Sequence, residues 1–328
     1  MQQVLVTGAN GFIGSHLVEA LLKQDIKVRC LVRKSSNLRW IEDLPVELVT
    51  GDLLHPETLT SAVTHVDTVF HLGGRVKSSN EEGFYKANVL GTVNLLKAVT
   101  QHAPALKRFV LVSSQAAVGP NRHSRPSTEQ DACFPLTPYG ASKLAAEEAA
   151  EAFRAQIPLT IVRPAVVGGP RDVDLFESFK MVRRGFKVLF GWRPHYGSYI
   201  DVSDLVCGLL LAAEHPEAIN ETFFLSGDDE VRLGRFQEAI AKALDVRAIS
   251  LRLPFGLLYL VGLGNDMRHR LTGRESLVSV NKVREFQQTH WTCNGSKARQ
   301  LLGFKAEIEL EEAMIRAAAW YREAGWLD

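Results

Sequence analysis

The sequence predicts an α/β fold, a doubly wound parallel sheet with a smaller, mostly helical lobe toward its C-terminal end. Three observations carry the prediction. Short β-branched runs recur at residues 4–6, 28–32, 46–49, 68–71, 109–112 and 160–162. Amphipathic stretches at 14–23, 57–63, 87–102 and 138–154 fall between them, and strands alternating with helices in this way build parallel sheets. Beyond about residue 165 the alternation fades: isolated strand-like runs remain at 198–202 and 222–225, and helices dominate from 233 onward.

The first five runs and the sixth are apolar without strict alternation, as strands covered on both faces require. The 328 residues suffice for one large domain with an attached lobe. A formal net charge of +1 does not point to a polyanion-binding surface, so nucleic acid is not an expected partner. Cys30, Cys133, Cys207 and Cys293 are widely spaced and form neither a disulfide framework nor a metal site. The ten histidines show no metal spacing either. The chain enters its first strand with no basic flank or apolar signal core, which points to a cytoplasmic protein. No apolar run reaches the roughly 20 residues of a bilayer span. The nearest is 253–264, read either as a helix buried between lobe and core or as a lid over a hydrophobic substrate.

Glycines at 8, 11 and 14 follow the first strand and open the first helix: Thr7-Gly8-Ala9-Asn10-Gly11-Phe12-Ile13-Gly14. Gly8 permits the tight turn, Gly11 admits a pyrophosphate to the backbone, and Gly14 lets helix and strand pack closely. Free N–H groups at the helix start then face the anion. This is the signature of a Rossmann-type dinucleotide fold. The second strand ends in Arg33-Lys34-Ser35-Ser36 instead of an acidic residue. A basic pair there suits a ribose 2′-phosphate, so NADP is expected, with NAD possible. Asp52-Leu53 follows the third strand, where a carboxylate meets an adenine amine or caps a turn.

Tyr139 and Lys143 lie four apart at the start of a helical stretch and share a face. A phenol of reference pKa about 10 is a poor base near neutrality. A neighbouring ammonium and an oxidised nicotinamide lower that value, so that Tyr139 exchanges a proton with a substrate oxygen while hydride moves. Ser113-Ser114 ends the preceding strand, on the side of the cofactor loops.

The order of these motifs resembles the extended short-chain dehydrogenase/reductases, the NAD-dependent epimerase/dehydratase family. His71-Leu72-Gly73-Gly74, Asn88-Val89-Leu90-Gly91-Thr92, Arg163-Pro164, Tyr199-Ile200-Asp201 and Leu301-Leu302-Gly303-Phe304 extend the likeness over most of the chain. The resemblance implies Tyr139 as acid/base, Lys143 as ribose ligand and tuner of Tyr139, and Ser114 as the group that orients the substrate. Ser113 and Gln115 remain alternatives for that last role. It further implies cofactor contacts from Gly8, Asn10, Gly11, Phe12, Ile13, Gly14, Arg33, Lys34, Asp52, Leu53, Leu72, Gly73, Asn88, Ser113, Lys143, Pro164 and Val167. Residues 1–164, joined by 196–226, are then the dinucleotide-binding core, and 165–195 with 227–328 the substrate lobe. Relatives often pair through the two long helices, here near 87–102 and 138–154, which implies a homodimer.

Two features place the chain nearest the dihydroflavonol-reductase and 3β-hydroxysteroid-dehydrogenase-like branch. Sugar-nucleotide members tend to carry an Asn after the sixth strand and an Arg before the Ile-x-Val-x-Asp segment. Here those places hold the apolar stretch Ala165-Val166-Val167 and Gly197. Arg171, Arg183, Arg184 and Arg193 are the cations available to compensate. The expected activity is an NADP(H)-dependent interconversion of alcohol and ketone on a hydrophobic small molecule. The alternatives are a sugar-nucleotide epimerase or dehydratase with tightly held cofactor, and a cofactor-binding regulatory protein without catalysis.

Overall fold

The computed structural model describes residues 1–78, 80–272 and 279–327. Its strands are β1 (Gln3–Thr7), β2 (Lys27–Val32), β3 (Glu47–Thr50), β4 (Thr68–His71), β5 (Arg108–Val112), β6 (Leu159–Pro164), β7 (Val166–Gly168), β8 (Phe186–Phe190), β9 (Tyr196–Asp201), β10 (Thr222–Leu225), β11 (Glu230–Arg232), β12 (Ile249–Leu253) and β13 (His290–Trp291). Seven of them form one parallel sheet in the order β10-β6-β5-β4-β1-β2-β3. The winding direction reverses between β1 and β4, which opens a crevice at the C-terminal ends of those strands.

Burial explains why five of the six runs were readable. Every residue of β4, β5 and β6 is buried, because helices cover both faces. Val4, Val6, Phe70, Val110 and Val162 pack on one side of the sheet, and Leu5, Val69, Phe109, Leu111 and Ile161 on the other. Within this sheet, the edge strand β3 is the one that is largely exposed.

The helices depart from the sequence pattern where backbone geometry is local. The stretch expected at 57–63 is a single 3-10 turn, Pro56–Thr58, followed by Thr60–Val63. The stretch expected at 87–102 begins as a π-helix, Tyr85–Leu90, before α-helix Gly91–His102. Apolar periodicity cannot separate those windings, and a π turn commonly marks a functional site. Helix Pro138–Glu151 starts cleanly: Thr137 caps it by accepting from the Gly140 N–H at 3.3 Å, and Pro138 occupies a position where no N–H is needed.

Two small sheets accompany the helices after residue 165, and of their strands the sequence pattern announced β9 alone, as the run 198–202. In one, β9 is flanked by β7, β11 and β13; in the other, β8 pairs with β12. Of the segment 196–226, β10 joins the central sheet, whereas β9 pairs only outside it. These strands have two to six residues and several are half exposed, so neither length nor alternation stands out. A separate core of Phe179, Ile240, Met314 and Tyr321 fills this part of the molecule. The run 253–264 lies mostly within helix Phe255–Thr272, and the burial expected of it is not found: Leu258 is buried, but Leu257, Leu260 and Val261 are exposed. No helix among the described residues is long and apolar enough to cross a membrane.

Candidate active site

The glycine turn is held by close backbone approach. Gly8 has φ +72°, and a Cβ there would stand 2.9 Å from the Gly73 nitrogen. A Cβ on Gly14 would stand 2.1 Å from the Gly8 carbonyl oxygen, so helix and strand meet where only glycine fits. Gly11 begins helix Phe12–Leu22 without any side-chain cap or acidic residue in its first turn. The first N–H groups are therefore left for an anion. Gly73 adds a second close approach, with its Cβ position 2.9 Å from Thr7 Oγ1 and 3.0 Å from Leu53 Cδ1. This backbone cradle fits a dinucleotide pyrophosphate.

Arg33 and Lys34 stand exposed at the end of β2, and the Arg33 N–H donates to Ser36 Oγ at 3.0 Å, which folds the basic turn back on itself. Asn10 Nδ2 ties the loop to the Asn37 carbonyl at 3.1 Å. Asp52 caps its own turn, accepting from the Leu54 N–H at 2.9 Å. Asn88 sits in the π-helix and bridges two segments: it donates to Arg75 O (3.0 Å) and Ser142 Oγ (2.8 Å) and accepts from Arg75 N (2.7 Å). Its amide thus fixes the loop after β4 against the helix that carries Tyr139 and Lys143. His71 is a packed histidine. It bonds Thr7 Oγ1 at 2.7 Å and Thr92 Oγ1 at 2.9 Å, and burial, with Lys143 nearby, pushes its pKa down to about 3.

At the ends of β5 and β6, Ser114, Gln115, Tyr139, Pro164 and Val166 line a cavity of about 390 Å³. Ser114 hydrogen-bonds the Tyr139 phenol, whereas the buried Ser113 hydroxyl meets no partner. Gln115 Nε2 is also buried without a partner at the cavity wall. Burial raises the Tyr139 pKa, the Ser114 contact pulls it back, and Glu285 raises it further. The lowering expected from Lys143 is not present in the protein alone. The reason is geometric: Lys143 Nζ donates to the Val112 carbonyl at 2.6 Å. Burial also brings Lys143 itself down to about 8, against the pull of Glu147.

Glu147 was missed in the sequence, although it continues the Tyr139, Lys143 spacing by one more turn. It pairs with Arg163 of β6 at 2.6 Å, both side chains nearly inaccessible, and so joins the helix of Tyr139 and Lys143 to the sheet. The far wall of the cavity was missed too. It is supplied by Phe190, His195, Tyr196, Lys282, Phe286 and Trp291, from segments too far apart in sequence to read as one site. Lys282 is the cavity's one lysine or arginine among the described residues, and Glu285 neutralises it at 2.6 Å. Arg183, Arg184 and Arg193 do not line the cavity. Arg171 is engaged by Ser15, Glu19 and the face of Trp40.

A switch-point glycine cradle beside a Tyr-Lys pair defines a nicotinamide-dependent enzyme of the short-chain dehydrogenase/reductase type. Residues 4–225 match the NAD dependent epimerase/dehydratase family, and the chain belongs to it. It is 30% identical over 325 residues to ceramide reductase of Caulobacter vibrioides (strain NA1000 / CB15N), covering 99% of this chain and 96% of that protein. It is 27% identical to N-acetyl-alpha-D-glucosaminyl-diphospho-ditrans,octacis-undecaprenol 4-epimerase of Escherichia coli O157:H7, covering 95% and 93%. In structure it matches the UDP-glucose 4-epimerase with UDP-glucose of Thermotoga maritima with a TM-score of 0.80, over 98% of this chain and 99% of that one. Identity there is 22%, so this is a likeness of fold.

Proposed function

We propose that the protein is an NADP(H)-dependent oxidoreductase that interconverts an alcohol and a ketone on a hydrophobic small molecule. The observation that carries this reading is the cavity wall. Phe190, Phe286, Trp291, Val166 and Pro164 surround the space beside Tyr139, and its lone ammonium is already paired. A diphosphate needs several free donors and positive charge, whereas an apolar skeleton gains by leaving water for such a wall.

The residues divide the work as follows. The glycine turn and helix start hold the pyrophosphate, and Arg33 and Lys34 hold the 2′-phosphate. Lys143 holds the nicotinamide ribose. When bound, the nicotinamide supplies or accepts the hydride. Ser114 hydrogen-bonds the substrate oxygen, and Tyr139 delivers a proton to it in reduction or removes one in oxidation. Asn88 and the Glu147–Arg163 pair keep the helix of Tyr139 in register. The ceramide reductase likeness supports this reading, since its name describes a reductase acting on a lipid.

The second reading, a 4-epimerase of a sugar diphosphate, is favoured by the likeness to the undecaprenol-linked epimerase. One experiment separates them. Purified protein is given NADPH with a panel of lipophilic ketones, and separately UDP-sugars, while nicotinamide absorbance is followed. Net NADPH oxidation with ketones supports the oxidoreductase. Epimerised sugar with no net change, from cofactor that survives dialysis, overturns it.

A further inference from the structure

Helix Phe255–Thr272 turns its apolar residues outward. Leu258 and Gly262, one turn apart, face the lobe: Leu258 is buried, and a Cβ on Gly262 would lie 3.1 Å from the Val280 nitrogen. On the opposite face stand Leu260, Leu263 and Met267, 68%, 57% and 66% exposed, with the exposed Leu257 and Val261 at its flank. A surface helix ordinarily buries such residues. The exposed apolar surface continues into Ile249 and Leu251 of β12, the strand that leads into this helix. Trp192, 76% exposed, stands beside the first helical turn, where Gly191 packs against Phe255. Exposed apolar side chains gathered on successive elements in this way mark an interaction surface.

Charge identifies its partner. Arg184 and Arg193 before the helix, Arg247 just ahead of β12 and Arg252 on that strand are all exposed, in a chain whose net charge is only +1. Arg252 lies over the Trp192 ring at 6.0 Å. An apolar helical stripe with a tryptophan at its edge and arginines around it is the chemistry of helices that lie in the headgroup region of anionic bilayers. Asp266 and Arg268 within the helix rule out a span of its full length.

The face also adjoins the cavity. Phe255 meets His195 edge-on with ring centroids 6.3 Å apart, and His195 lines the cavity with the stacked pair Phe190 and Phe286. We infer that this face docks peripherally on an anionic lipid bilayer, placing the lobe side of the cavity against the membrane. The inference concerns the surface and holds whichever substrate the cavity takes.

The test is sedimentation of the full chain with phosphatidylcholine vesicles, with and without phosphatidylglycerol. The expected result is capture by the anionic vesicles that weakens as salt is raised. Leu260→Asp with Met267→Asp alters two exposed side chains and should weaken capture about tenfold or more, with the far-ultraviolet circular dichroism unchanged. Arg252→Glu should weaken capture by anionic vesicles. A wild type that stays in the supernatant, or a double variant that binds as wild type does, overturns the inference. So does a concentration-dependent dimer that the double variant abolishes, since a second copy then covers the face.

Discussion

The glycine crevice is built from backbone and comes from short stretches at strand ends, whereas the cavity beside Tyr139 is built from side chains gathered between Ser114 and Trp291. In the crevice the decisive atoms are the N–H groups after Gly11 and the missing Cβ atoms of Gly8, Gly14 and Gly73. In the cavity they are aromatic faces from β8, β9, β13 and helix Val280–Gln287. A backbone site allows few sequences. A side-chain site is free to change substrate without disturbing the sheet, which is how one fold serves reductases and epimerases alike. Tyr139, Lys143 and Ser114 stand at the seam between the two.

Substitutions on each side of that seam sharpen the contrast. The largest effect is expected for Tyr139→Phe, which removes the proton relay: steady-state turnover should fall by about 10²–10⁴-fold, while dinucleotide affinity from fluorescence titration stays unchanged. Glu147→Ala leaves the Arg163 guanidinium buried and unpaired, with an expected loss of about 3–5 kcal/mol in denaturant unfolding. The milder Glu147→Gln reads out Lys143. Its ammonium is held at about 8, so activity that depends on it declines as pH rises through that value. Without the carboxylate that favours the charged form, the decline in a pH–rate profile moves to lower pH.

Arg33→Ala should weaken NADPH by about 10- to 100-fold, the worth of charge-assisted hydrogen bonds, and leave NADH unaffected; equal losses for both would remove the 2′-phosphate assignment. The smallest effect concerns His71. Its folded value of about 3 lies below the unfolded value near 6.5. The unfolded chain therefore takes up a proton first, and stability falls as pH drops through that window. In His71→Gln, unfolding free energy should change less over the same range.

The contrast also explains what could be read from sequence. β1, β2, β4, β5 and β6 were legible because apolar side chains on both of their faces are buried in the cores flanking the sheet. The glycine turn and the Tyr139, Lys143 spacing were legible because each sits within one element. Cavity-wall residues such as His195 and Phe286 were not, since contact between them is created only when β9 and helix Val280–Gln287 come together. The exposed face of helix Phe255–Thr272 was hidden for another reason: an apolar run looks the same in sequence whether it faces a core or an outer surface.

The central claim is transfer of a hydride to an apolar ketone with Tyr139 as proton donor. Its most direct test is a single turnover with 4,4-dideuterated NADPH, run with wild type and Tyr139→Phe on a lipophilic ketone. The account predicts deuterium on the carbinol carbon of the product, in proportion to cofactor oxidised, and its near disappearance in the variant. A wild type that leaves every ketone unlabelled yet inverts a sugar carbon with no net cofactor change would contradict it.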